Sequence, residues 1–438
     1  MQDSSLDQNV HWFRHASPYI NAHRGRTFVI HLDGEALRSP GLRELIADIA
    51  LLNSLGVRLV ITYGARPQLR EKLERRNLCW QEHQQRLIVD ATRLQAVVSC
   101  VGSLRIELEA RLSMGLANSP MHGAGLRVMS GNLITARPLG VREGVDMHFS
   151  GEVRKVQVKS IQSLLDQGML VLLPPLGYSA TGEAFDLNAE EVATSVAIQL
   201  GADKLLLFGD AEGLKDSEGQ LIRDLTPTDA EMLLPELSDQ PILQRHLRAA
   251  CQACRRGVAR THLLSYQRNG ALLQDLFTRD GDGTLITQQR YETLRQARIE
   301  DVGGLLALLA PLEESGVLVR RSRERLEAEI ERFMVIDLDG SIIACAALYP
   351  YPDQHQAELA CVVVDPEFRH GQRGDLLLES IQKQAQASGI QQLFVLTTHT
   401  AHWFLERGFV PASVEQLPAA RQALYNWQRN SRVFCKNL

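Results

Sequence analysis

The stretch Cys361-Val-Val-Val-Asp-Pro-Glu-Phe-Arg369-His-Gly-Gln-Arg-Gly374-Asp-Leu-Leu-Leu-Glu379 decides how the second half of the chain folds. It reads as a strand ending at Asp365-Pro366, a turn holding two glycines, and an apolar helix that runs to Ala387. Such a turn offers backbone N–H groups and the positive end of a helix dipole to a pyrophosphate. Arg369 and Arg373 are placed to add charge-assisted bonds. Around this core lie further strands, Phe333 to Asp337 and Ile342 to Tyr349, with Asp339-Gly340 between them as a hairpin signal. The strand Leu393 to Thr397 and a helix from about Ala401 follow. The pattern is a mixed α+β unit of ordinary domain size.

Toward the N-terminus the pattern changes at the polar run Gln288 to Arg295, which puts a domain boundary near 285–295. Before it, Thr27-Phe-Val-Ile-His-Leu-Asp-Gly34 reads as a buried strand, and Leu42, Leu45, Ile46, Ile49 and Leu52 mark a helix that Gly56 ends. Val57 to Tyr63 is the next strand. Strand, helix, strand with short turns is a βαβ unit and implies parallel strands. The pattern returns at Leu170 to Leu173, through a helix from Glu190 to Leu200, and at Lys204 to Phe208 and Ala259 to Ser265. This half is expected to be an open α/β domain.

The 438 residues exceed one ordinary domain, and ~150 residues per domain gives about three as a first expectation. Lys and Arg number 47 against 52 Asp and Glu, a net charge of −5, which argues against a nucleic-acid binder. The seven cysteines, an odd number scattered over this length, do not make a disulfide framework. Cys251-x-x-Cys254 lies in a helical stretch with no second pair, so no metal site is expected. The N-terminus has no apolar leader pattern, and no run approaches ~20 apolar residues. The expectation is a soluble, cytoplasmic, multidomain protein without membrane partners.

The glycine turn resembles the acetyl-coenzyme A loop of the GNAT N-acetyltransferases, [RQ]-x-x-G-x-[GA] before an apolar helix. Arg369 and Gly374 match its ends, while Gln372 stands where a glycine is usual. Trp403-Phe404-Leu-Glu-Arg-Gly408-Phe409 resembles the family's later aromatic segment, with Phe404 in a slot often held by an acidic tyrosine. The resemblance implies acetyl-CoA as a co-substrate, with no tightly bound cofactor. It would be held by Val362, Val363 and Val364 and by Arg369, His370, Gly371, Gln372, Arg373, Gly374 and Asp375. An amine must lose a proton before it attacks the thioester, and Glu358, or a water chain, can accept it. A splayed strand at Val362 to Val364 can offer the tetrahedral oxyanion a backbone N–H. Regular alternation puts Leu359 and Cys361 on one strand face and Glu358 and Ala360 on the other. With Phe404 unable to donate a proton, Thr398 and Tyr425 remain as candidate acids beside the thiolate.

Residues 27–285 resemble the amino-acid kinase fold, acetylglutamate kinase most of all. The family's lysine and double glycine are replaced by His31 and Asp33-Gly34, and a later lysine by His246. Tyr63-Gly64-Ala65-Arg66-Pro67 and Asp186-Leu-Asn188-Ala189-Glu190 stand for two further motifs. A histidine with pKa ~6.5 is mostly neutral at pH 7, so the phosphate cradle loses charge and phosphorylation is not expected. Together the halves resemble the bacterial N-acetylglutamate synthases. That resemblance implies residues 1–25 as an oligomerisation segment, 26–287 as a kinase-like regulatory domain and 288–438 as the catalytic GNAT domain. It implies acetyl transfer to L-glutamate, held by Leu318, Arg320, Cys361, Arg429 and Ser431. It further implies inhibition by L-arginine near Tyr19, His262, Gly281 and Gly283, in a hexamer linked through Trp12 and Phe13. Two rivals stay open: a working kinase with an appended acetyltransferase, and a non-catalytic arginine sensor.

Overall fold

The computed structural model describes residues 2–114, 121–278, 281–288, 292–338, 341–369, 373–398, 401–426 and 431–438. The chain divides into two compact units, Met1–Gln289 and Arg290–Leu438.

In the first unit, α1 (Gln2–His23) leads into an eight-stranded sheet. In chain order the strands are β1 (Thr27–Leu32), β2 (Arg58–Tyr63), β3 (Val128–Met129), β4 (Leu170–Leu173), β5 (Lys204–Gly209), β6 (Asp224–Leu225), β7 (Arg260–Ser265) and β8 (Thr284–Ile286). They line up as β6-β8-β7-β5-β1-β2-β4-β3, and the body of the sheet from β7 to β3 is parallel. Parallel strands covered on both sides read as nearly continuous apolar runs. Phe28, Ile30 and Leu32 of β1 pack under α2 (Leu42–Ser54) and α3 (Ala91–Leu112). Val29 turns the other way, with Val60 and Leu205, toward α4 (Ala189–Leu200) and α5 (Pro241–Arg255). Helix α4 starts where it does because the Asn188 side chain accepts the N–H groups of Glu190 and Glu191, at 3.0 and 3.2 Å. A second sheet, built from Ile134–Pro138, Gly151–Val156, Leu176–Tyr178 and Ala184–Asp186, was not legible in the alternation.

The end of α1 is docked on its own unit rather than free. Ala16 is buried in the core, and the His23 ring packs 5.3 Å from Phe28 and 5.8 Å from Phe277. Its Nε2 donates to the Leu276 carbonyl at 2.9 Å. Val10 and Trp12, earlier in the helix, are exposed. The Phe13 side chain lies outside the described residues. Among the described residues no helix is long and apolar enough to cross a membrane.

The second unit is a seven-stranded sheet. Its strands are β9 (Glu292–Gln296), β10 (Phe333–Leu338), β11 (Ser341–Tyr351), β12 (Gln356–Val364), β13 (Gln392–Thr397), β14 (Val410–Ala412) and β15 (Arg432–Asn437), ordered β9-β10-β11-β12-β13-β15-β14. Helix α6 (Val302–Glu314) covers one face and α7 (Arg373–Ala387) the other. All pairs are antiparallel except β12 with β13. That parallel pair is short: it runs from Gln356↔Gln392 to Glu358↔Phe394 and ends there. Beyond it β12 continues with β11 and β13 with β15, so the two strands part and the sheet opens between them.

A bulge corrects the expected alternation. Cys345 pairs with Val363 and Ala347 with Ala360, so Cys361 and Val362 together face Ala346, and Cys361 has a positive φ of 52°. Leu359 therefore packs toward α7, whereas Cys361 and Val363 pack toward α6. Leu359 and Cys361 lie on opposite faces, because one inserted residue inverts a period of two.

Candidate active site

Glu358 occupies the point where β12 and β13 part. Its side chain is only 12% exposed, and Arg421 meets it with two guanidinium nitrogens, Nε to Oε2 at 2.6 Å and Nη2 to Oε1 at 3.1 Å. Each oxygen keeps a further lone pair, so the carboxylate can still accept a proton or a hydrogen bond. Past Glu358, the β12 backbone through Val362, Val363 and Val364 borders the opening. Cys361, brought round by the bulge, is buried, and that burial pushes its thiol up to about 11. A thiol held protonated at neutral pH is no nucleophile, which suits transfer without an acyl-cysteine.

The turn after β12 runs through Pro366–Phe368 to an exposed Arg369; His370, Gly371 and Gln372 lie outside the described residues. Arg373, expected to reach a phosphate, is turned inward. Its Nε donates to Glu292 at 2.8 Å, its Nη2 meets the same carboxylate, and its Nη1 donates to the Phe368 carbonyl at 2.8 Å. It braces the turn against β9, a strut that local sequence could not reveal. Gly374 is a glycine for packing reasons: a Cβ there would stand 2.9 Å from Cζ2 of Trp403. Asp375 pairs with Arg407, which holds its carboxyl below the usual range and ties α7 to the Trp403 segment. Phe404 is buried, 5.0 Å from Trp403 and 5.4 Å from Phe409. The backbone N–H groups at the start of α7 are what this arrangement can offer a diphosphate.

The Tyr425 hydroxyl donates to the Ser431 carbonyl at 2.7 Å, with its ring packed near Phe394 and Leu417. Thr398 is exposed just past β13, and Arg429 lies outside the described residues. Leu318 packs with Cys361 and Val363. Arg320 is exposed, while Arg321, which the sequence reading passed over, is turned into the unit. Its Nε is buried without a partner, and the guanidinium lies near Cys361 and Tyr349. Tyr349 in turn donates its O–H to Glu329 at 2.7 Å.

In the first unit, His262 has its Nδ1 2.8 Å from Oδ2 of Asp275 and its Nε2 3.4 Å from Nζ of Lys204. His23, at the end of α1, feels the charge of both Lys204 and His262. Gly281 and Gly283 flank the buried Asp282, and Gly283 admits no side chain, since a Cβ would lie 2.0 Å from the Leu263 carbonyl. Tyr19, in the last two turns of α1, packs partly buried on the core that holds Ala16. The positions that replace the kinase lysines, His31 and His246, meet Asp33 and Glu190 in the interior. Two buried carboxylates at that place oppose the binding of a phosphate chain.

Residues 26–265 match the model of the amino acid kinase family, and residues 305–409 that of the acetyltransferase (GNAT) family. The chain is 57% identical over 433 residues to the amino-acid acetyltransferase of Pseudomonas fluorescens strain SBW25, covering 99% of this chain and all of that one. It is 57% identical to that of Pseudomonas putida strain GB-1, over 98% of this chain and 99% of the other. Among solved structures, it resembles N-acetylglutamate synthase from Neisseria gonorrhoeae complexed with coenzyme A and L-arginine, at 36% identity and a TM-score of 0.87, with 98% and 99% of the two chains covered. The same enzyme complexed with coenzyme A and N-acetyl-glutamate matches at 37% identity and a TM-score of 0.62, with the same coverage. With a kinase-like unit and an acetyltransferase unit in one chain, alike over nearly their whole length, this protein belongs to the amino-acid acetyltransferases, the N-acetylglutamate synthase family.

Proposed function

We propose that the chain transfers the acetyl group of acetyl-CoA directly to the α-amino group of L-glutamate, giving N-acetyl-L-glutamate and CoA as an opening step of arginine biosynthesis. The observation that carries this reading is the parting of β12 and β13 at a buried carboxylate, Glu358. The α-ammonium group of glutamate gives a proton to Glu358, directly or through a water, and the amine so formed attacks the thioester carbonyl. As the C–N bond forms, the carbonyl oxygen takes negative charge and accepts an N–H from the β12 edge at Val362 to Val364. Collapse breaks the C–S bond, the leaving thiolate takes a proton from Thr398 or Tyr425, and that hydroxyl recovers one from the nitrogen as it becomes the amide. Residues 288–438 carry this chemistry. Leu318, Arg320, Cys361, Arg429 and Ser431 form the glutamate pocket, arginine forks being suited to its two carboxylates.

Residues 26–287 serve regulation. Asp275 and the partnerless Oδ2 of Asp282, beside His262, Gly281 and Gly283, suit the guanidinium and amine of L-arginine. Residues 1–25 link copies into a cytoplasmic homo-oligomer, of hexameric form, with the exposed Trp12 as a contact.

The test is release of CoA thiol from acetyl-CoA with glutamate as acceptor, with and without arginine. CoA release that depends on glutamate is the expected result; a chain that binds arginine but releases no thiol is a sensor. ATP-dependent phosphorylation of N-acetylglutamate would instead favour the kinase.

A further inference from the structure

In the first unit four buried side chains, His31, Asp33, Glu190 and His246, turn a nitrogen or a carboxylate oxygen toward one another, all within 4.8 Å. They come from three segments remote in sequence: β1 and the turn after it, the first turn of α4, and α5. Their exposures are 0, 6, 5 and 1%, respectively. Buried polar atoms nearly always find a partner. Here Nε2 of His31, Nε2 of His246 and Oε2 of Glu190 have none.

The opposite atoms of His31, Glu190 and Asp33 are held. Nδ1 of His31 lies 3.0 Å from Oγ1 of Thr62. Oε1 of Glu190 accepts from Nε of Arg245 at 2.7 Å, and Oδ1 of Asp33 accepts the Glu35 N–H at 3.0 Å. Gly209 leaves room for His246, since a Cβ there would come 3.1 Å from its Nδ1. One atom fixed from outside and the other open toward a shared point is how metal ligands are oriented.

We propose that His31, Asp33, Glu190 and His246 bind one divalent transition-metal ion of the Zn2+ type. Two imidazoles and two carboxylates are a donor set for zinc and its first-row neighbours. Mg2+ is the poorer guest, because it demands near-octahedral oxygen ligands and keeps its waters. Bonds of ~2.0–2.2 Å around a tetrahedral ion place ligand atoms ~3.4 Å apart, so binding draws the four inward by ring and carboxylate rotation. The two carboxylates carry −2, and Arg245 on Glu190 returns +1, so a 2+ ion relieves the burial of both anions. The bound ion then joins β1, α4 and α5 at one point.

The experiment strips the full-length chain with a chelator and titrates Zn2+ against a chromophoric competitor, with elemental analysis of the product. One equivalent of zinc per chain is expected. The doubly substituted His31→Gln/His246→Gln chain should lose it while glutamate-dependent CoA release persists. Thr62→Ala, which only loosens His31, should weaken affinity about 10–100-fold and covers the case in which the double variant does not fold. Co2+ in place of zinc should give visible bands without a thiolate charge-transfer band. No stoichiometric uptake at micromolar free Zn2+, affinity unchanged by Thr62→Ala, or a thiolate band assigning the ion to the cysteines would each overturn the proposal.

Discussion

The guanidinium of Arg421 spans both carboxylate oxygens of Glu358, a fork-to-fork pair between residues 63 apart in the sequence. Such pairs fix the plane as well as the position of a carboxylate. Glu358→Gln keeps the shape but cannot take a proton, and kcat should fall ~10²–10⁴-fold with the KM for acetyl-CoA little changed. Arg421→Lys keeps the charge and loses the fork, so its kcat should fall less. Steady-state kinetics of the two variants decides it. Near-native turnover in Glu358→Gln removes that residue from proton transfer.

Gly374→Ala drives a methyl group toward the Trp403 indole, 2.9 Å away, and must shift either the ring or the start of α7. If the N–H groups in the first turn of α7 receive the coenzyme as proposed, the KM for acetyl-CoA should rise about tenfold, a cost of ~1.4 kcal/mol, while that for glutamate moves little. Calorimetric titration with CoA checks this directly, and unchanged CoA affinity would detach the helix start from coenzyme binding.

The neighbours Arg320 and Arg321 should separate by exposure. Losing a charged hydrogen bond to substrate costs ~1.5–3 kcal/mol, so Arg320→Ala should raise the KM for glutamate about tenfold or more. Arg321→Met keeps the buried volume and deletes an unpaired buried nitrogen, so the melting temperature should hold or rise with little change in KM. Reversed effects on KM would make Arg321 the substrate contact.

Truncation must respect the docked end of α1. Deleting residues 1–25 removes Ala16 and His23 from the core and should destabilise the first unit. Deleting only 1–14 takes away Val10 and Trp12 and leaves the docked turns in place. That shorter deletion should lower the oligomer and abolish arginine inhibition while acetyl transfer survives. Light scattering combined with an arginine titration measures both, and an intact, still inhibited hexamer would refute the linkage.

Burial, reinforced by Lys204, holds the His23 imidazole down at about 4 against an ordinary 6.5. The folded chain therefore keeps it neutral where the unfolded chain takes a proton. Its contribution to stability is complete above pH 6.5 and drains away as the pH falls from 6.5 toward 4. Asp186, pushed up to about 7 by burial, acts in the opposite sense: its penalty eases as the pH falls from 7 toward 3.8. His23→Gln should flatten the acid-side loss in urea melts of the full chain by up to about 3 kcal/mol between neutral pH and pH 4. An unchanged pH slope would mean that His23 does not stay neutral when folded.

Much of the fold could be read from the chain because parallel strands buried on both faces, such as Phe28 to Leu32 with His31 its one polar member and Leu205 to Phe208, are nearly continuous apolar runs. The β9 strand escaped notice for the converse reason. Glu292 to Gln296 lies at a sheet edge and is at least partly exposed at every position, so its apolar pattern is faint. Within the candidate site, Glu358 and the glycine turn were legible as local sequence. Arg421, the Arg373–Glu292 strut and the inward turn of Arg321 were not, since each depends on contacts between distant segments or on which side of a loop faces the core.

The bulge at Cys361 makes the coenzyme end of the unit a matter of residue count as well as residue type. Everything after it, from Val362 through the turn to the first turn of α7, is clocked half a pleat out of step with Gln356 to Ala360. Deleting Cys361 would set Ala360 opposite Ala347, Val362 opposite Ala346 and Val363 opposite Cys345, so the later valines would keep their faces while the strand lost its local bend and its buried thiol. A one-residue loss at the bulge is therefore felt in the bend of β12 and not in its core faces, whereas a loss elsewhere in the strand must carry every side chain on one side of it to the other face.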